Sequence, residues 1–173
     1  MNPVSSLFES IHTFLDNEDK IRERRYGMIL VSNGQLQTLQ FRPWPKLVSA
    51  PEVKWLGGWQ HGRQAKDQCR LYYNQPLGHS NFLALKYTVT SFGTSYKTVR
   101  RALLILDEIA RIKKTDAIVA EITNDRITDR SMKRMGWEEH LPDAKNRHFI
   151  RRFYGDYPTP LYSNSSESMF IDS

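Results

Sequence analysis

Asn81-Phe-Leu-Ala-Leu-Lys-Tyr-Thr-Val-Thr90, then Ser91-Phe92-Gly93, then an amphipathic run from Ser95 to Lys114: this stretch decides the fold. The first run is rich in β-branched and aromatic residues and stops at a glycine, which reaches backbone angles other residues resist, so it reads as a strand meeting a turn. From Ser95 onward Val99, Ala102, Leu103, Leu106, Ile109 and Ala110 recur at three- and four-residue intervals and predict a long helix. Ala117-Ile-Val-Ala-Glu-Ile-Thr123 predicts a second strand, and Arg126 to Met135 a second helix, ended by a left-handed Gly136. Arg147 to Tyr154 predicts a last strand, with Phe149, Arg151 and Phe153 on one face and His148, Ile150 and Tyr154 on the other.

Upstream, Ser6 to Arg25 reads as one or two helices, with Leu7, Phe8, Ile11, Phe14 and Leu15 as an apolar stripe and Asn17-Glu18-Asp19 as a break. Tyr26 to Val31 and Leu36 to Phe41 flank Ser32-Asn33-Gly34, and Asn-Gly is a favoured centre of a tight turn, so an antiparallel hairpin is expected. Between Arg42 and Gly78, Pro43, Pro45, Pro51 and Pro76 interrupt regular structure, although Gln68 to Tyr73 suits a strand; the segment is a candidate substrate-side lid. Trp44, Trp55 and Trp59 either stack on a ligand or anchor this loop to the core. Residues 1–157 are taken as one domain; past Tyr157 the chain is serine-rich, and 158–173 are expected to be mobile or to lie over a second copy of the chain.

With 173 residues, 39% of them hydrophobic, the chain has enough apolar material for one sizeable core. No run approaches the roughly 20 apolar residues that span a bilayer, and Met1-Asn-Pro-Val-Ser-Ser lacks a basic region leading into an apolar one, so a soluble, cytoplasmic protein without membrane contact is expected. The single Cys69 excludes an internal disulfide, and the histidines show no close metal-ligand spacing, so no metal site is expected. Asn164-Ser-Ser matches a glycosylation acceptor but has no secretion signal to deliver it. The net charge of +6 is concentrated: Lys54, Arg63, Lys66, Arg70, Lys86, Lys97, Arg100 and Arg101 stand against the lone Asp67 between Val53 and Leu106. Such a basic block either faces water or favours an anionic partner, whether a phosphate group, nucleic acid or an acidic surface.

The order of elements from residue 81 to 154 resembles the GNAT superfamily, the Gcn5-related N-acetyltransferases. Thr90-Ser-Phe-Gly93-Thr94-Ser95 stands where that family has a Gln/Arg-x-x-Gly-x-Gly/Ala loop, and keeps Gly93 of its signature positions. Asn124, followed later by Ser131-Met132-Lys133-Arg134-Met135-Gly136-Trp137, stands where the family has an Asn and then a helix ending in Gly-aromatic, with Met132 replacing the usual tyrosine. The resemblance implies an α/β (α+β) fold: a mixed, mostly antiparallel central sheet with a parallel splayed strand pair, flanked by helices. It also implies acetyl-CoA or another acyl-CoA as co-substrate and a small-molecule or peptide amine as acceptor.

In that setting the amides of Gly93, Thr94 and Ser95 and the dipole of the following helix form a cradle for pyrophosphate. Lys97, Arg100 and Arg101 fit it, because cations at a helix start are disfavoured by about 0.3 to 1 kcal/mol unless an anion neutralises them; the other reading has them extending into water. From the family pattern alone, Val89 and Thr90 at the end of the strand and Asn124 would meet the pantetheine arm; Asn124 equally suits the N-cap of the next helix. No Asp or Glu lies between Asp67 and Asp107, so the strand ending at Thr90 supplies no carboxylate base. Glu121, Tyr87, His79 and Tyr154 remain as candidate acid–base groups, with Glu121 equally placed to be a structural ion-pair partner. Cys69 reads as a buried hydrophobe or, less in keeping with its context, a nucleophile. The missing tyrosine and the eroded loop leave an alternative: a catalytically inactive module that uses its basic face for nucleic acid or an acidic partner.

Overall fold

The computed structural model describes residues 8–45, 66–123 and 127–162. In chain order the elements are β1 Ser10–Ile11, α1 Glu18–Glu23, β2 Tyr26–Ser32, β3 Gln35–Arg42, β4 Gln68–Asn74, β5 Phe82–Thr90, α2 Tyr96–Lys113, β6 Ala117–Ile122, α3 Asp129–Arg134, β7 Glu138–His140 and β8 Arg147–Arg152. The strands form an 8-stranded sheet in the order β1-β3-β2-β4-β5-β6-β8-β7. Neighbours are antiparallel except β5 and β6, which run parallel and are joined by α2. This is the mixed α/β architecture with one parallel pair that the sequence led us to expect.

Strand alternation sorts the sheet into two faces. Ile29, Val31, Leu39, Phe41, Leu71, Tyr73, Leu83, Leu85, Ile118, Ala120 and Phe149 are buried, and α2 lays Ala102, Leu103, Leu106, Ile109 and Ala110 on the same core. The helical period of α2 buries Ile105 and Ile112 as well, so its apolar stripe is wider than the sequence reading. Its N-cap is Ser95, and Lys114 closes it with a left-handed φ of 55°. Arg111 holds α1 against α2 by pairing with Glu108 at 2.8 Å and Glu18 at 3.3 Å.

Several boundaries differ from the sequence reading. Within the Ser6 to Arg25 stretch, the described residues from 8 onward form a short strand and a turn-and-a-half helix, because Ser10 and Ile11 pair with Gln40 and Leu39 and the left-handed Asp16 breaks the chain before α1. Of its apolar stripe, Ile11 and Phe14 are buried while Leu15 is exposed. The second helix starts at Asp129, and its cap is Thr128, whose hydroxyl accepts from the Ser131 amide at 3.2 Å. Asn124, Trp55 and Trp59 lie outside the described residues; Trp44 is half exposed and meets the edge of Phe8. β7 was missed in the sequence because Glu138–His140 is too short and polar to show a period. Past Tyr157, Tyr162 stacks on Phe14 at 5.0 Å, so the described part of the tail lies on the core.

The corner between α3 and β7 is fixed from across the sheet. Gly136 has a φ of +82°, and a Cβ there would sit 1.8 Å from Arg151 Nη1. Arg151 in turn donates to Gly136 O at 3.0 Å and pairs with the buried Asp107 of α2 at 3.3 Å. Burial pushes the Asp107 carboxyl up to about 6, against the pull of Arg151. Gly136→Ala should therefore cost about 2 kcal/mol or more in urea unfolding, since it adds left-handed strain and evicts a tethered guanidinium.

Candidate functional site

The start of α2 is occupied by an anion of the chain itself. The Ser95 N–H donates to Asp67 Oδ1 at 2.8 Å and the Ser95 hydroxyl to Asp67 Oδ2 at 2.9 Å. Partial burial works against charge on Asp67, but the Ser95 amide, the Thr98 and Ser95 hydroxyls and the Lys97 ammonium outweigh it and hold the carboxyl below its ordinary value. The main chain of Asp67 is tied as well, its carbonyl accepting from the Asn33 amide at 2.9 Å. The Asn33-Gly34 turn of the β2–β3 hairpin docks here too: Gly34 N–H donates to Thr98 Oγ1 at 2.9 Å, and the Lys97 stem covers Gly34.

The turn before the helix is equally engaged. Thr94 N–H closes a β-turn onto Ser91 O at 3.2 Å, and the Thr94 hydroxyl donates to Gln68 O at 2.6 Å. Of the amides at this helix end, Ser95 is taken by Asp67 and Thr98 by the Ser95 cap. Tyr96 and Lys97, in the first turn, are left without an intrahelical acceptor. Asp67 supplies the negative charge that the cations of this helix end require. Lys97 lies beside it, Arg101 donates to Tyr162 Oη at 3.3 Å, and Arg100 is exposed.

Along β5, the strand that leads into this turn, the sheet parts. β5 pairs with β6 only from Phe82–Leu85 to Ala117–Ala120; beyond that, Tyr87, Thr88, Val89 and Thr90 pair with β4 while Glu121 and Ile122 pair with β8. The separation coincides with a bulge. Tyr72 lies opposite Tyr87 and Tyr73 opposite Leu85, so Lys86 is an extra residue at the point where the strands diverge. Lys86 and Glu121, both exposed, are the first residues of the two arms.

The four acid–base candidates are not brought together. Glu121 and Tyr87 stand on the two arms of the gap, on the sheet face turned away from α2. His79 lies in the exposed β4–β5 turn against Phe82, and the exposed Tyr154 follows β8, its amide held by Asp116 O ahead of β6. Both are at the other end of β5 and β6 from the gap. Cys69 is fully buried, and burial with the nearby Asp67 charge pushes its thiol up to about 12, so it stays protonated and walled off. Val89 and Thr90 lie on the β5 arm, and Gly93, Thr94 and Ser95 in the turn beyond it. The sequence reading missed Asp67, whose role depends on a contact with a residue 28 positions away. Among the described residues no group of His, Cys, Asp and Glu is placed to hold a metal ion, and no helix is long and apolar enough to cross a membrane.

Two solved structures resemble this chain in its overall course. A nourseothricin acetyltransferase matches with a TM-score of 0.41 at 10% identity over 84% of this chain and 98% of the other. A protein assigned as an acetyltransferase of the GNAT family, from Desulfovibrio desulfuricans, matches with a TM-score of 0.43 at 10% identity over 85% of this chain and 97% of the other. No family model and no curated protein sequence matches the chain. At this identity no residue role passes from either structure to this one.

Asp67→Asn should lower stability by about 1 kcal/mol at pH 7, the scale of a lost helix cap. Because the folded-state carboxyl is held low, its stabilisation is present above the unfolded-state value and lost as pH falls through the folded one. The gap between native and Asp67→Asn unfolding curves should therefore close on acidification below the usual carboxylate range.

Proposed function

We propose that this chain is an N-acyltransferase that moves an acyl group from acetyl-CoA or another acyl-CoA to an amine. The observation that carries the reading is the parting of β5 from β6 beyond Leu85 and Ala120, along the arm of β5 that runs into the turn before α2. A gap between parallel strands offers backbone donors and acceptors along two edges, and an extended amide-bearing arm fits such edges as an added strand would. The amides of Tyr96 and Lys97, with the Lys97 and Arg100 side chains, would receive the diphosphate. Asp67 then acts as a resident competitor that the ligand must displace or sit beside. Arg101, engaged by Tyr162, takes no part in binding on this reading. The bound thioester supplies an activated carbonyl, and the chain's part is to fix it in the gap with the acceptor nitrogen approaching from the face turned away from α2.

The Asp67 contact favours a second reading, in which the filled helix end marks a fold that no longer takes a nucleotide and uses its basic block, with Arg63, Lys66 and Arg70, toward nucleic acid or an acidic protein, while Arg151 stays tied to Asp107 and Gly136. Phosphate-driven binding of that kind weakens steeply with salt.

Calorimetry separates the two. The native chain should bind acetyl-CoA below millimolar, Lys97→Ala with Arg100→Ala should weaken binding about tenfold or more, and Arg101→Ala should leave it within twofold. No acetyl-CoA binding at millimolar ligand, together with salt-sensitive capture of a fluorescent oligonucleotide, would replace the first reading with the second.

A further inference from the structure

The sheet face turned away from α2 carries a row of titratable side chains, of which the sequence reading picked out one. Glu121 on β6 is directly opposite His148 on β8, and His148 is directly opposite His140 on β7. Strand alternation puts the three on one face, because Ala120, Ile122 and Phe149 between them are in the core. Directly opposed Cβ atoms lie about 4.5 to 5.5 Å apart, within reach of a carboxylate–imidazole hydrogen bond. Asn146 donates its amide to Glu121 Oε1, which holds the carboxylate in this row. Glu121 stands one residue beyond Ala120, the last residue of β6 to pair with β5, so it lies at the mouth of the gap, with His148 one strand and His140 two strands behind it on the same face.

We propose that His148 is the base of the transfer step and that Glu121 is its positioning residue, an inference that rests on the acyl-transfer reading above. The acceptor nitrogen attacks the thioester carbonyl carbon, forming a C–N bond, and the C–S bond breaks with its electron pair going to sulfur. The proton leaving the nitrogen passes to an imidazole nitrogen of His148 and from there to the departing thiolate, so that amide and thiol result and the base ends neutral. An imidazole suits this better than an exposed carboxylate, because histidine side chains in general titrate nearer the working pH. The charged groups on this face around His148 are Glu121 on β6, His140 on β7, the Glu138 to Arg152 pair one row along, and Lys86 on the far arm of the gap. In this role the Glu121 carboxylate would accept from one ring nitrogen and leave the other to take the proton.

The test measures thiol release from acetyl-CoA with a panel of primary amines, for the native chain, His148→Asn, His148→Gln and Glu121→Gln, with acetyl-CoA binding followed by calorimetry in each. The expected result is a fall in kcat of about a hundredfold or more for both His148 variants, unchanged acetyl-CoA affinity, and loss of the acidic limb of the pH profile. Glu121→Gln should lower kcat less than His148→Asn, with the acidic limb displaced, and a His148→Gly variant should recover activity with added imidazole. His148 variants that keep kcat within threefold, or an acidic limb that survives them, would overturn the assignment while leaving the acyl-transfer reading standing. A native chain that binds no acetyl-CoA would overturn both.

Discussion

The carboxylate of Asp67 on the Ser95 amide is the contact on which the arrangement of this half of the molecule depends. It joins the residue before β4, the hairpin tip between β2 and β3 and the first turn of α2. A helix start exposes unsatisfied donors and a partial positive charge, and this one also carries Lys97, Arg100 and Arg101 without an acid in its first turn. The Asp67 carboxylate takes the Ser95 amide and lies beside Lys97. Thr98, buried in the first turn, converts the same junction into a hairpin dock by accepting from Gly34. The position of α2 over the sheet follows from that anchor together with its apolar face.

The second constraint is the divergence of β5 and β6. A parallel pair connected by a long helix need only pair for part of its length, and here each strand turns to its outer neighbour once past Leu85 and Ala120. The loss of pairing leaves a wedge between the arms, with α2 behind it and the row of Glu121, His148 and His140 in front. An anchored helix start and an unzipped strand pair thus share one turn, Ser91 to Thr94, which is itself internally bonded.

What could be read from the sequence was what repeats along it. The period of Val99 to Ala110 placed α2, the Asn33-Gly34 pair placed the hairpin, and Gly136 marked the end of α3 by the left-handed angle it adopts. The candidate site was legible only on the arms of the gap, where Glu121 and Tyr87 lie, because chain order determines which strand ends meet. It was not legible where the geometry rests on contacts between residues distant in the chain. Nothing near Asp67 in sequence says that it will meet Ser95, that the Lys97 stem will lie over Gly34, or that Arg101 will donate to Tyr162. The proposed role of His148 had no signal along the chain, because Glu121, the residue opposite it, is 27 positions earlier and only strand pairing brings them level. His79 and Tyr154 were chosen for their chemistry and lie at the far end of the same strands.

The supernumerary Lys86 has a consequence for how this strand tolerates change in length. Ahead of it Leu85 points into the core, and after it Tyr87 looks outward beside Tyr72, a phase that uninterrupted pleating would have reversed. With Lys86 set aside in the bulge, the side chains from Tyr87 to Thr90 keep the faces that following directly on Leu85 would give them. Losing a residue at this point would restore the pleat and bring β5 into step with β4 rather than breaking it, so the chain can gain or shed this kink in a single codon without disturbing the hydrophobic interior below it.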